Sequence, residues 1–156
     1  MERVQFVWIG DGSADDTRWV NHDVDLLPCR DRIHLVPSRA DIHSYFEAAD
    51  LYVLSSREDP YPIVGVQAMA AGLPVFAFDG AGGAPEALAD GVGVVVPFLD
   101  TEAMARKVVE LIQDDSARHA MGDAARSRAE SSCSSRHHFE GIMEVVASTC
   151  GVDLQH

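Results

Sequence analysis

Apolar residues recur along the chain with two periods, and the two alternate. Arg3 to Ile9 (RVQFVWI) is rich in β-branched and aromatic residues and reads as a strand that stops at Gly10-Asp11-Gly12. Ser13 to Leu27 is polar, with Trp19, Val20, Val24, Leu26 and Leu27 scattered through it, a weak helix followed by loop. Ile33 to Val36 is a second short strand ending at Pro37. Asp41 then leads a helix whose Ile42, Tyr45, Phe46 and Ala49 fall at helical spacing. Leu51 to Leu54 is a third strand. From Ile63 to Ala71 nearly every residue is apolar or small, which predicts a helix buried on most sides. Gly72 ends it, and Pro74 to Phe78 forms a fourth strand.

The pattern repeats in the second half. Gly80 to Glu86 turns into a short helix with Pro85 in its first turn, and Gly93 to Val96 is a fifth strand. Asp100 or Thr101 caps an amphipathic helix through Gln113. A further helix runs from about Asp115 to Arg128, a serine-rich break spans Ser131 to Ser135, and a last helix runs to about Ser148. Strands alternating with helices predict an α/β fold, a Rossmann-like parallel sheet with helices on both faces. In such sheets ligands bind beyond the strands' C-terminal ends. Three loops lie there: Gly10 to Ser13, Ser55 to Ile63, and Phe78 to Glu86.

Composition narrows the chemistry. At 156 residues the chain is one domain's worth, and 47% hydrophobic with 24% charged residues is ordinary for a globular protein. A formal net charge of −13 argues against nucleic acid and anionic membrane as partners. No apolar run spans a membrane, and the N-terminus does not read as a signal peptide. Cys29, Cys133 and Cys150 have neither disulfide-framework nor zinc spacing and suggest a reducing compartment.

Several enzyme classes fail at the residue level. Gly10-Asp11-Gly12-Ser13-Ala14-Asp15 begins like a dinucleotide fingerprint but carries Asp at the third glycine position. There is no phosphate-binding lysine loop, and the single lysine, Lys107, sits mid-helix. No Gly-x-Ser-x-Gly elbow is present. His34 and His43 each lack a second ligand at metal spacing, and the adjacent His137-His138 point to different helix faces, so no metal is expected. Trp8 reads as core, and the acidic residues at 114, 115 and 123 as a solvated face. The turn before the apolar helix is the strongest candidate for chemistry. Glu58 and Asp59 can cap or face that helix, Pro62 suits its first turn, and free N–H groups with the helix dipole attract phosphate.

The run Ser56-x-x-Asp59-Pro60-Tyr61-Pro62-Ile63-x-x-x-Gln67-Ala68-Met69-Ala70-Ala71-Gly72-Leu73-Pro74-Val75 closely resembles the donor-binding segment of the family 4 (group 1) retaining glycosyltransferases. Ile9-Gly10-Asp11-Gly12, Ala48-Ala49-Asp50, Gly82-Gly83-Ala84-Pro85-Glu86 and Met121-Gly122 resemble other parts of the same C-terminal domain. The resemblance implies half of a GT-B fold, in which two Rossmann-like domains enclose the active site. It implies transfer of a hexosyl group from a nucleotide-sugar to an acceptor with retention, and no cofactor. Asp59 matches the first carboxylate of the family pair, which binds donor-sugar hydroxyls, and Gln67 the second, which binds the ribose. Tyr61 and Ile63 match positions whose backbone N–H groups face the sugar and diphosphate. Gly10 and Gly12 match the loop the nucleotide approaches, and Val36 the strand end that contacts the base.

The departures from the family pattern carry consequences. Asp59 is one methylene shorter than Glu, and Glu58 beside it could substitute. Gln67 keeps hydrogen-bonding capacity without charge, so nucleotide binding is expected to be weaker. Pro60 and Pro62 replace two glycines and remove two N–H donors, although Asp59-Pro-Tyr-Pro can also be read as a stiff lead-in to the helix. The family's opening strand with its Gly-Arg…Lys-Gly diphosphate clamp, and its acceptor-binding N-terminal domain, have no counterpart in the 156 residues. That strand would sit between those matched by Arg3 to Ile9 and Leu51 to Leu54, and its loss would leave two unpaired edges, so either those strands pair directly, another chain fills the gap, or the polypeptide is a fragment of a longer enzyme. The expectation is a single donor-binding domain, 1–156, from a longer two-domain enzyme, inactive alone and completed by that domain or a partner subunit. The alternative is a non-catalytic glycosyltransferase-like binding or assembly module, with association of copies left open. The family's habit places it in the cytoplasm or at the membrane periphery.

Overall fold

The computed structural model describes residues 4–133 and 135–151. The chain forms two compact units, residues 1–42 and 43–156. Each is built from parallel strands with helical crossovers.

In the first unit β1 (Phe6–Ile9) pairs in parallel with β2 (Ile33–Val36), Phe6 opposite Ile33 and Ile9 opposite Val36. The Arg3 end of the expected first strand lies outside the described residues. The connection is α1 (Ala14–Asp25), a regular helix where only a weak one was expected. A reciprocal capping box starts it: Asp16 N–H donates to Ser13 Oγ at 3.2 Å, and Ser13 N–H to Asp16 Oδ2 at 3.0 Å. The Ser13 hydroxyl, which donates to Asp16 Oδ2 at 2.6 Å, and then the Ser13 N–H hold the Asp16 carboxyl below its usual range. Trp8, expected in the core, is 59% exposed. A two-stranded sheet crossed by a helix that buries no residue cannot enclose an indole.

The second unit holds the core. After α2 (His43–Ala48), β3 (Tyr52–Leu54), β4 (Val75–Phe78) and β5 (Val94–Val96) form a parallel sheet with β4 central. All four β4 residues are buried, as a strand covered on both faces requires. Their period of two sorts them. Phe76 and Phe78 join Val96, Met104 and Leu111 on one face, beneath α5 (Thr101–Ile112). Val75 turns to the other face, towards Met69 and Gly65 of α3 (Ile63–Ala70). Short α4 (Ala84–Ala87) follows β4, and α6 (Asp115–Ser132) packs on α3 and α5. α7 (Ser135–Cys150) closes the described chain. Asp100 caps α5 and Asp114 caps α6, accepting from Ala103 N–H at 2.8 Å and Ala117 N–H at 2.9 Å. Asp114, Asp115 and Asp123 are all exposed, as expected of a solvated face, and Asp114 serves in addition as the cap.

Among the described residues β1 pairs only with β2, and β3 only with β4, so the unpaired edges are present. The fold class is α/β with parallel sheets, as expected. The expectation for α3 needs correction. Gly65, Ala68 and Met69 are buried, whereas Ile63, Val64 and Gln67 are exposed, so one face of α3 is open.

Between α3, β3, β4 and α4 lies a wholly apolar void of about 10 Å³ lined by Leu54, Gly65, Met69, Val75 and Leu88 among others. Its lining offers no polar partner for an ordered water. A Cβ on Gly65 would meet only Pro62 Cβ and Cγ, at an ordinary 3.7 Å. Gly65→Ala therefore removes unfolded-state freedom without a clash and should raise Tm by about 2–4 °C, for a gain of up to about 1 kcal/mol. Differential scanning calorimetry reads this directly, and an unchanged or lower Tm would refute it.

Candidate functional site

The candidate residues fall into two groups, one in each unit. In the first, Gly10 N–H donates to Val36 O at 3.0 Å, and Ser38 N–H to Asp11 Oδ2 at 2.8 Å. The end of β1 is thus tied to the end of β2, which brings Gly10 and Val36 together. Gly10 has φ +142°, and a Cβ there would meet nothing within 4 Å, so open space adjoins the strand end. Gly12 has a local reason to be glycine, because its Cβ would fall 2.7 Å from Asp16 Cβ, in the capping box.

In the second unit the chain leaving β3 is fastened to the chain leaving β4. Asp59 and Gly82 form an isolated parallel bridge. Asp59 N–H donates to Ala81 O at 2.7 Å, and Gly83 N–H is shared between Asp59 O at 3.3 Å and Pro60 O at 3.1 Å. The clasp leaves no room for side chains on its second strand. A Cβ on Gly82, whose φ is +131°, would overlap the Asp59 carbonyl, and one on Gly83 would lie 2.6 Å from Pro60 O. Asp59 is half-buried within the clasp and Glu58 beside it is exposed, so only Asp59 is fixed by backbone pairing. The Asp59 charge reaches the strand: burial first, and then Asp59, raise the pKa of the Tyr52 phenol.

The clasp delivers the chain to α3. Pro62 is its N-cap, and no side chain caps the first turn. This corrects two expectations. Neither Glu58 nor Asp59 caps the helix, because the clasp holds Asp59 to Ala81–Gly83, and Pro62 precedes the first turn. The first-turn N–H groups of Ile63, Val64 and Gly65 have no intrahelical acceptor, so with the dipole they favour an anion. Ile63 and Gln67, one turn apart, share the open face of α3. Tyr61 is exposed, and its hydroxyl donates to Cys133 Sγ at 3.4 Å. Sequence reasoning quoted Gly82 and Gly83 for the resemblance but did not place them in the site; paired glycines were the available signal. Nothing in the sequence marked Cys133. Among the described residues no group of three His, Cys, Asp or Glu side chains could hold a metal. His34 is bonded to Gln5 at 2.8 Å, and His43 pairs with Glu47 at 3.4 Å.

The clasped loop thus leads into an uncapped helix at the C-terminal end of a parallel α/β sheet. Residues 2–128 match the family described as glycosyl transferases group 1, and the chain belongs to it. It is 36% identical over 107 residues to D-inositol 3-phosphate glycosyltransferase of Corynebacterium kroppenstedtii, covering 67% of this chain and 24% of that protein. It is 33% identical over 97 residues to a GDP-mannose-dependent monoacylated alpha-(1-6)-phosphatidylinositol monomannoside mannosyltransferase of Corynebacterium glutamicum, covering 58% and 25%. Anabaena HepE, solved in complex with UDP-glucose, superposes with TM-score 0.84 at 26% identity, covering 94% of this chain and 41% of HepE. Sucrose-phosphate synthase from Thermosynechococcus elongatus, at TM-score 0.83 and 21% identity over 96% of this chain and 39% of that one, shares the fold. The chain thus spans about a quarter of the length of these curated relatives. Among the described residues no helix is long and apolar enough to cross a membrane.

Proposed function

We propose that residues 1–156 form the nucleotide-sugar donor-binding domain of a longer group 1 glycosyltransferase. The complete enzyme moves a hexosyl group to an acceptor with retained anomeric configuration. The observation that carries this reading is the clasp of Asp59-Pro60-Tyr61 with Ala81-Gly82-Gly83 at the uncapped start of α3. It holds a carboxylate beside an anion-seeking helix end, the pairing that a sugar joined to a diphosphate requires. In this reading Asp59 accepts from donor-sugar hydroxyls, with exposed Glu58 as the alternative carboxylate. The N–H groups of Tyr61 and Ile63 meet the sugar and diphosphate. Pro62 fixes the approach of the chain, and Gln67 takes the ribose from the open face of α3. Gly10, Gly12 and Val36 serve the nucleoside. Catalysis is positioning and stabilisation of the departing diphosphate, and no group here acts as a covalent catalyst. The donor is a substrate, and the reading assigns neither metal nor resident cofactor. An N-terminal acceptor domain or partner subunit completes the enzyme in the cytoplasm or at the membrane periphery.

One observation favours a second reading. Gln67, a neutral amide in place of a carboxylate, suits a binding or assembly module that has given up turnover.

Calorimetric titration with UDP, GDP, ADP and their sugar forms separates the two. One nucleotide should bind, and Gln67→Glu should tighten it about tenfold, because a charged acceptor roughly doubles a hydrogen bond's strength. Asp59→Ala should weaken the sugar form while leaving the bare nucleotide within about twofold. No binding at millimolar nucleotide, with Gln67→Glu restoring nothing, would put the module reading first.

A further inference from the structure

Tyr61 is held by two parts of the chain remote from its own loop. Its hydroxyl bonds Cys133 Sγ at 3.4 Å, and Cys133 is the C-cap residue of α6, its own N–H bonded to Ala129 O at 3.1 Å. The ring edge lies over Gly83, where a Cβ would come within 3.1 Å of Tyr61 Cδ2. Cys133 lies beyond residue 128, where the family match stops. The phenol registers its surroundings. The Cys133 bond first, then burial, then the charges of Cys133 and Glu86, push its pKa up to about 12.

An exposed tyrosine ring is ordinarily free to change rotamer, and ordering it on binding costs affinity. Here one side of the ring is confined by a glycine and its end is bonded. We propose that Cys133 is a positioning residue: by accepting the Tyr61 hydroxyl bond it fixes the ring in one orientation over Gly83, so that the end of α6 sets the aromatic wall beside the donor sugar. Gly83 supplies the clearance and Cys133 the restraint. The wall is therefore set by a residue 72 positions along the chain from it. The assignment of that wall to a donor pocket rests on the proposed function, whereas the tether itself does not.

Two measurements on the 156-residue chain test it together. Tyrosinate absorbance is titrated to pH 12, where wild-type Tyr61 should be about half-ionised, with far-UV circular dichroism as a check on folding. Subtraction of the Tyr61→Phe curve isolates Tyr61 from Tyr45 and Tyr52. UDP and UDP-glucose are titrated calorimetrically into the same proteins. Cys133→Ala should move the Tyr61 titration to lower pH and weaken UDP-glucose about three- to tenfold, with UDP held within about twofold. Cys133→Ser, which keeps an acceptor, should restore both. The inference is overturned if Cys133→Ala leaves the Tyr61 titration in place, or moves it while UDP-glucose affinity holds. If the wild-type chain binds neither ligand yet the titration moves in Cys133→Ala and returns in Cys133→Ser, the tether stands and the donor reading falls.

Discussion

Replacement of Gly82 by alanine should unseat Asp59 and weaken the proposed donor binding about a hundredfold. The added Cβ would overlap the Asp59 carbonyl, and the residue's φ of +131° is one that alanine resists, so steric and conformational costs add. The neighbour in the way is backbone, which cannot swing aside as a side chain can. The bridge between Asp59 and Gly82 must open, and with it go the bonds from Gly83 N–H to Asp59 O and Pro60 O. The expected loss of stability is about 3 kcal/mol. If the chain stays folded by moving the loop, a displacement of about 1 Å at Asp59 can cost about a hundredfold in function. Gly80→Ala is the matched control: its φ is +71°, but a Cβ there meets nothing within 4 Å, so only the conformational cost of about 1 kcal/mol applies. Urea unfolding and UDP-glucose calorimetry on both variants decide the matter. Equal behaviour of the two would mean the clasp does not position Asp59.

The second large effect concerns the seat of α3. Helix α6 meets it through small residues, with Gly122, Ala125 and Ala129 buried at helical spacing. A Cβ on Gly122 would strike the Gly72 carbonyl oxygen and lie 3.6 Å from Pro74 Cδ. Gly72 (φ +83°) ends α3, and Arg126 Nη2 of α6 donates to Ala71 O at 2.9 Å, satisfying a carbonyl of α3's last turn. Gly122→Ala must push α6 away and break that bond, for an expected cost of about 3 kcal/mol. The same substitution at Gly141, on α7, meets nothing within 4 Å and should gain up to about 1 kcal/mol from helix propensity. Opposite shifts of the unfolding midpoint for one chemical change would locate the effect in packing. Two losses of similar size would refute it.

What the sequence disclosed and withheld follows from the range of each interaction. Strands and helices were legible because their signals are local. The apolar run through Val75 to Phe78, the cap at Asp100 and the stop at Gly72 each lie within a few residues of what they control. The two faces of α3 were not legible, because Ile63 and Val64 are as apolar as the buried Met69, and composition alone does not tell a covered side from an open one. Trp8 misled for a related reason: an apolar strand predicts burial only where enough sheet and helix exist to bury it. The carboxylate loop was found through Asp59 and its spacing to Gln67. Its fastening was not, because the bridge joins residues of different loops and Gly82-Gly83 says only that something comes close. The contact of Tyr61 with Cys133 is longer in range still, and neither residue type announces the other.

Both tryptophans of the chain, Trp8 and Trp19, belong to the first unit, and both are exposed, at 59% and 62%. Indole emission is therefore a reporter for residues 4–42 alone, and a weak one, since these rings already face water in the native protein. A fluorescence-monitored melt would pass over the loss of Asp59, α3 and the whole β3–β5 sheet with little change in signal. Placing a tryptophan at Phe98, exposed and stacked edge-to-face on Phe78 at 6.5 Å, would give the second unit an emission of its own.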